Sequence, residues 1–231
     1  MSIRNDLINS WFLPESFWKT HRAYASEADF ICPQAFGRNT YSDKEVGTVV
    51  NSIIDLSDNV VDRFVRLGAR GFDPGHPNKI LALRSIRFAK LIHPFFDNTD
   101  TIRPVIGQWE VLYAMWLYEP DWYAKHQNLL TPIWPPIIDY LTTHGVFRIA
   151  KDIADGHGLK KPLLIAHPEH IQRCFFIARK IFGKPVAIDV AHASDSEWFD
   201  KASVQKWTRS PSYWLPYEML ARIHHRFHSW M

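Results

Sequence analysis

The sequence predicts an α/β fold: a three-layer, Rossmann-like, mostly parallel sheet with helical additions at both ends. Three observations predict it. Pro162–Ala166 is an apolar run of strand length, and the residues that follow place Ile171, Cys174, Phe175, Ala178, Ile181 and Phe182 at helical spacing. Lys184–Val190 then reads as a second strand, so about thirty residues form one strand–helix–strand crossover. Short apolar runs alternate with helical periodicity along the rest of the chain, the pattern of a parallel sheet covered by helices. The 231 residues, 46% hydrophobic and 22% charged, suit one α/β domain spanning residues 1–231.

The elements follow in order. Residues 2–27 carry an apolar set of Leu7, Ile8, Trp11, Phe12 and Phe17, interrupted by Pro14, and predict a helical extension of two short pieces. Ala28–Phe36 predicts the first strand. Ser42 with Glu45 three residues on has the capping-box pattern, opening a helix through Val46, Val49, Val50, Ile53 and Ile54. A second amphipathic piece spans Val60–Leu67. The Gly/Pro-rich stretch 68–77 reads as a loop, and Lys79–Phe95 as a helix. Thr101–Gly107 predicts a strand. Pro104 makes it an edge strand or moves its start to Val105. Gln108–His126 predicts an aromatic-rich helix, 129–136 a brief strand or extended loop, 137–141 either a helix or a strand, and Thr142–Gly145 a turn capping a helix that runs to Gly156. Residues 191–212 read as a polar loop, and 213–230 as a closing helix.

Composition narrows the function classes. The net charge of +3 is small, and no Lys/Arg block tracks a phosphate backbone, so no nucleic-acid partner is expected. Cys32 and Cys174 lie in apolar elements without metal-type spacing and read as buried thiols in a reducing compartment. No secretory apolar core and no span-length apolar run is visible, so a soluble, cytoplasmic protein with no membrane partner is expected. Ten Trp and fifteen Phe imply either a bulky core or an aromatic-lined cleft. There is no nucleophile elbow and no Walker loop.

In open α/β sheets, ligands bind beyond the carboxyl ends of the strands. Those ends carry four polar segments and a fifth at Asp189 with His192. Gln34, Gly37, Arg38 and Asn39 follow the first strand, where a glycine and a cation suit a phosphate or carboxylate. Gly107, Gln108, Trp109 and Glu110 follow the second; the glycine permits close approach of a ligand, and Glu110 suits a hydroxyl or amine. Thr143 opens a helix. His167, His170 and Arg173 follow the Pro162–Ala166 strand, and Asp189 ends the next one. A histidine there suits proton transfer near neutral pH. Arg173, one turn past His170, suits an anion at a helix N-terminus. His167-x-x-His170 is also metal-like spacing, but no third ligand is evident, and no metal is expected. His224, His225 and His228, with Arg222 and Arg226, read as a surface face of the last helix.

The His167-Pro168-x-His170-x-x-Arg173 segment, the helix from Thr143 to Ala154 and the Gly107–Glu110 segment resemble the YdcF/SanA/ElyC-like family, whose members have a Rossmann-like α/β domain of undefined chemistry. Three features differ from the family pattern. Gly107-Gln108 stands for its double glycine, Thr143-His-Gly-Val-Phe-Arg148 lacks its asparagine, and the first-strand loop offers only Gly37 in place of its Gly-rich signature. The resemblance implies a cleft for a nucleotide-like or S-adenosylmethionine-like molecule.

The expected function is binding of a small anionic or nucleotide-like ligand at the strand ends, with catalysis open. Arg38 and Arg173 would neutralise charge, Glu110 would hold a hydroxyl or amine, and His167 or His170 would handle protons. The rivals are a metal-dependent hydrolase using His167 and His170, and a non-catalytic interaction protein whose aromatic C-terminal helix is the partner surface.

Overall fold

The computed structural model describes residues 24–90, 102–135, 142–183, 186–189 and 198–228. Of the helical extension expected over 2–27, Tyr24–Glu27 forms a 3-10 turn. Residues 2–23, the end of the helix expected at 79–95, the ends of the strand expected at 184–190 and the side chains of the face expected from Arg222 to His228 lie outside the described ones.

Five strands form one parallel sheet: β1 Phe30–Pro33, β2 Val105–Gln108, β3 Leu130–Ile133, β4 Pro162–Ile165 and β5 Ala187–Asp189. The order across the sheet is β3-β2-β1-β4-β5. The helices are α1 Asp43–Ile54, α2 Val60–Ala69, α3 His76–Lys90, α4 Trp109–Tyr118, α5 Pro120–His126, α6 Thr143–Gly156, α7 Ile171–Phe182 and α8 Pro211–His228. This is the three-layer α/β architecture that the alternating periodicity predicts. Its β4–α7–β5 unit is parallel, with Leu163 opposite Ala187.

Period-2 alternation separates two cores. Ile31, Val105, Leu130, Leu163, Ile165 and Ala187 face one way, onto α1–α5. Phe30, Cys32, Ile106, Ile133, Leu164 and Ile188 face the other, onto α6 and α7. Both sheet faces are therefore covered, and the strands read as unbroken apolar runs for that reason.

The local rules explain most boundaries. Ser42 caps α1 and forms the full capping box with Glu45. Asn59 caps α2 through its side chain, and Thr142 caps α6 by accepting from the Gly145 amide. Pro104 precedes β2, which starts at Val105 in the sheet interior. Pro132 lies in β3, an edge strand, where a missing amide is tolerated.

Three expectations change. The helix expected over 108–126 breaks at Glu119, because Pro120 starts α5 and cannot continue α4. The helix expected from Pro168 starts at Ile171, and residues 168–170 form a turn ending in the cap His170. The loop expected over 191–212 contains a short 3-10 turn at Lys206–Thr208. Among the described residues, no helix is long and apolar enough to cross a membrane.

Candidate functional site at the sheet switch point

The chain builds β1, β2 and β3 outward in one direction, then returns to place β4 on the other side of β1. The crevice of such a sheet opens between the two strands where the order reverses, here β1 and β4. Gln34 and His167 stand at their carboxyl ends, and the Gln34 amide donates to the Ile165 carbonyl at 2.8 Å.

The loop after β1 is clamped from two sides. Asn78 of α3 accepts from the Phe36 amide at 3.0 Å and donates to the carbonyls of Gly37 and Pro74 at 2.7 Å. Ser203 and Val204 hold the Arg38 carbonyl from the C-terminal segment, at 3.0 and 2.8 Å. Gly37 has φ +71°, and a Cβ there would lie 2.7 Å from Thr208 Oγ1. Its glycine is required by the protein's own packing.

Phe36 turns inward from this loop and stacks on the His167 ring, with centroids 3.7 Å apart. Trp214 of α8 meets Phe36 edge-on at 4.6 Å, and Phe199 meets it at 5.8 Å. Residues 198–218 thus close over the switch point.

His167 is fully committed. The Glu169 amide donates to its Nδ1 at 3.2 Å, so the ring proton sits on Nε2 and is donated to the Trp198 carbonyl at 2.9 Å. Burial first, then the neighbouring His170, holds this imidazole well below the usual histidine range; the bond to Trp198 acts in the opposite sense. His167 is neutral at physiological pH. Arg173 donates from Nη2 to His170 Nδ1 at 3.1 Å, which makes that nitrogen an acceptor.

Two buried ion pairs flank the rings. Arg173 Nε lies 3.1 Å from Glu218 Oε2, with side chains 11% and 5% exposed, and His170 lies 3.9 Å from the same oxygen. Arg38 Nη1 lies 3.6 Å from Glu110 Oε1, with side chains 5% and 7% exposed. Both arginines expected to meet a ligand anion therefore have carboxylates of the chain beside them. Arg38 also donates from Nε to the Tyr41 carbonyl.

The other expected residues are placed as follows. Gln108 accepts from the Ala35 amide at 2.7 Å and ties the tip of β2 to the loop after β1. A Cβ on Gly107 would lie 2.5 Å from the Pro33 ring, so the close approach is between neighbouring strands. Trp109 stacks on Trp134 in the core, at 5.6 Å. Asn39 donates to both Asp73 and Asp200 at 3.0 Å and joins two loops. Thr143 stands half-buried in the first turn of α6. Asp189 ends β5, and its side chain lies outside the described ones.

Three buried polar atoms have no hydrogen-bond partner among the described residues: Gln34 Oε1 just beyond β1, and Nε1 of Trp198 and Trp214, whose indoles meet His167 and Phe36. The Gln34 amide nitrogen donates to the Pro33 carbonyl at 3.3 Å and lies 3.6 Å from Cys32 Sγ, which leaves Oε1 as the acceptor without a partner. An unmet buried polar atom costs about 1–3 kcal/mol. The two indole donors belong to the ring cluster, and the acceptor follows β1 at the edge of the sheet.

Among the described residues, no group of three or more His, Cys, Asp or Glu side chains is arranged to hold a metal. Burial raises the Cys32 thiol to about 12 and pushes Cys174 up as well, so neither is a thiolate.

Glu218, Trp198, Trp214, Ser203 and Asn78 were not among the residues the sequence pointed to. For Glu218 a signal existed. It is the sole acidic residue after Asp200, and it lies on the same helix face as Trp214 and Ala221. No family model, no curated protein and no solved structure matches this chain.

Proposed function

We propose that the protein binds a small nucleotide-like ligand, S-adenosylmethionine among the candidates, at the β1/β4 switch point. The observation that supports this most is the set of buried polar atoms without a partner among the described residues: the Gln34 oxygen beyond β1 and the indole nitrogens of Trp198 and Trp214, which pack on the His167 and Phe36 rings. A nucleobase offers an exocyclic amine for Gln34 Oε1, ring nitrogens for the indole N–H groups, and a flat face for stacking.

A simple anion fits less well. Arg38 and Arg173 are accompanied by Glu110 and Glu218, so the cluster has no net positive charge. The reading therefore takes the nucleotide-like half of the sequence expectation. It agrees with what the resemblance to the YdcF/SanA/ElyC-like family implies. Of the two histidines, His170 is the one for proton exchange with a ligand, since both nitrogens of His167 are used by backbone groups. The buried thiols suit a reducing, cytoplasmic setting.

A thermal-shift panel of adenosine, S-adenosylmethionine, nucleotides and inorganic phosphate tests the reading. A ligand at about 100 times its dissociation constant stabilises by about 2.7 kcal/mol. Stabilisation by an adenine-bearing compound and none by phosphate is the expected result. A response to phosphate alone would return the site to the anion-binding reading.

A further inference from the structure

Phe36, Arg38 and His167 are 3%, 4% and 1% exposed, so the switch point is closed to solvent. The segment 198–210 lies over it. The His167 ring donates to the Trp198 carbonyl at 2.9 Å and meets the Phe199 ring edge-on at 4.7 Å. Asp200 accepts from the Asn39 side chain at 3.0 Å and from the His76 amide at 3.2 Å. The Arg38 carbonyl accepts from Ser203 Oγ at 3.0 Å and from the Val204 amide at 2.8 Å. No ligand reaches the Phe36 and His167 rings past these contacts.

The segment also carries its own bracing. The Asp200 carboxylate accepts from the Ala202 amide, the Ser203 and Thr208 hydroxyls lie 2.7 Å apart, Thr208 donates to the Gln205 carbonyl, and Arg209 donates to the Ser203 carbonyl at 2.6 Å. Breaking its bonds to the body of the protein leaves this bracing intact. Helix α8 is held separately, by the Arg173–Glu218 pair and by Trp214 on Phe36. Trp198 Nε1 is buried without a partner in the closed arrangement. Water meets that N–H once the segment lifts, which narrows the free-energy gap between closed and open.

We propose that residues 198–210 are a lid over the β1/β4 switch point, which lifts as a unit from the loop after β1 to admit a ligand and closes on it. The inference rests on the reading of the switch point as a ligand site. Amide exchange of the wild-type chain without ligand is its first test. The Ser203, Val204, Thr208 and Arg209 amides should share one protection factor, at least about 100-fold below those of the Gln34 amide, bonded to β4, and the Cys174 amide of α7. Protection equal to that of Gln34, or four unrelated protection factors, would overturn the lid.

Locking the lid is the second test. A Cβ at position 37 would lie 3.1 Å from Thr208 Cβ, close to the spacing of about 3.5–4.5 Å in a disulfide, so Gly37→Cys/Thr208→Cys can be cross-linked. The native Cys32 and Cys174 are buried and stay out of the reaction. Oxidised, the variant should take up adenosine at least about tenfold more slowly than the same sample after reduction. The reduced sample is the control for the strain of a side chain at φ +71°. Equal uptake by the two forms would overturn the lid. No uptake by wild type would contradict the nucleotide-like reading instead, and the exchange pattern, which needs neither ligand nor variant, would still decide whether the lid opens.

Discussion

Glu218 of the last helix lies 3.1 Å from the Arg173 guanidinium at the start of α7, and both side chains are at least nearly buried. The pair joins the C-terminal segment to the β4–α7 junction. Breaking a buried pair by removing one partner leaves an uncompensated charge. Glu218→Gln should destabilise the fold by about 3 kcal/mol, and Arg173→Lys, which loses the contact to His170, should also lower the melting temperature. Denaturant unfolding of these two variants, and of Arg173→Met, Glu218→Met and Arg173→Met/Glu218→Met as a closed cycle, checks this. The Met/Met double variant should be more stable than the sum of the two single Met variants implies. Strict additivity would show that the pair is not coupled.

The His167 imidazole gives the stability a pH dependence of known sign. Its pKa is held down in the folded state by burial and by His170, while the unfolded chain titrates near 6.5. As pH falls below about 6.5, the unfolded state takes up a proton that the native state refuses, so stability falls, by up to about 1.4 kcal/mol per pH unit. Above 7 this contribution is fully present. Unfolding free energies from pH 7.5 down to about 5 should show this slope, and His167→Gln should flatten it. A slope unchanged in that variant would place the proton elsewhere.

Gly107 should not tolerate a methyl group. The added Cβ would meet the Pro33 ring at 2.5 Å and the Pro33 carbonyl at 2.9 Å, and both belong to the adjacent strand. Gly107→Ala should cost about 1–3 kcal/mol or more. Gly47→Ala, in α1 with nothing within 4 Å of the new methyl, should instead stabilise by about 0.5–1 kcal/mol. Chemical unfolding of the two variants side by side decides whether strand contact or glycine content governs.

Cys32 and Cys174 are both buried, and burial raises both thiol pKa values. A thiol reagent at pH 8 should modify neither in the native protein and both after unfolding. Rapid modification of one thiol in the folded state would contradict the packing around β1 and α7.

The fold was legible where local chemistry decides it. The apolar run of β4 and the spacing of Ile171, Cys174, Phe175 and Ala178 report burial on the sheet and on one helix face. Ser42 with Glu45 reports a helix start. The break at Pro120 was legible too, but the continuous aromatic periodicity on both sides of it hid the boundary. Start of α7 at Ile171 was not, because Pro168 suits a helix N-terminus and a turn equally well. The site was legible as a place and not as a set of contacts. The strand-end reading put Arg38 after the first strand and His167 and His170 after the Pro162–Ala166 strand, and the structure has them beyond β1 and β4. The pairing of Arg173 with Glu218, 45 residues later, depends on how α8 returns over the sheet, which no local pattern encodes. Gly107 and Gly37 read as room for a ligand, yet Pro33 and Thr208 occupy that room.

The central claim is that the unpartnered Gln34 oxygen awaits a donor from a nucleotide-like ligand. Gln34→Leu keeps similar volume and removes the acceptor. Calorimetric titration of adenosine and S-adenosylmethionine into wild type and variant, with melting curves of both unliganded proteins, tests the claim directly. The account predicts that the unliganded variant melts no lower than wild type, because a buried unmet polar atom has been removed, while affinity falls by about tenfold or more. A variant that melts markedly lower, or that binds the ligand as wild type does, would contradict it.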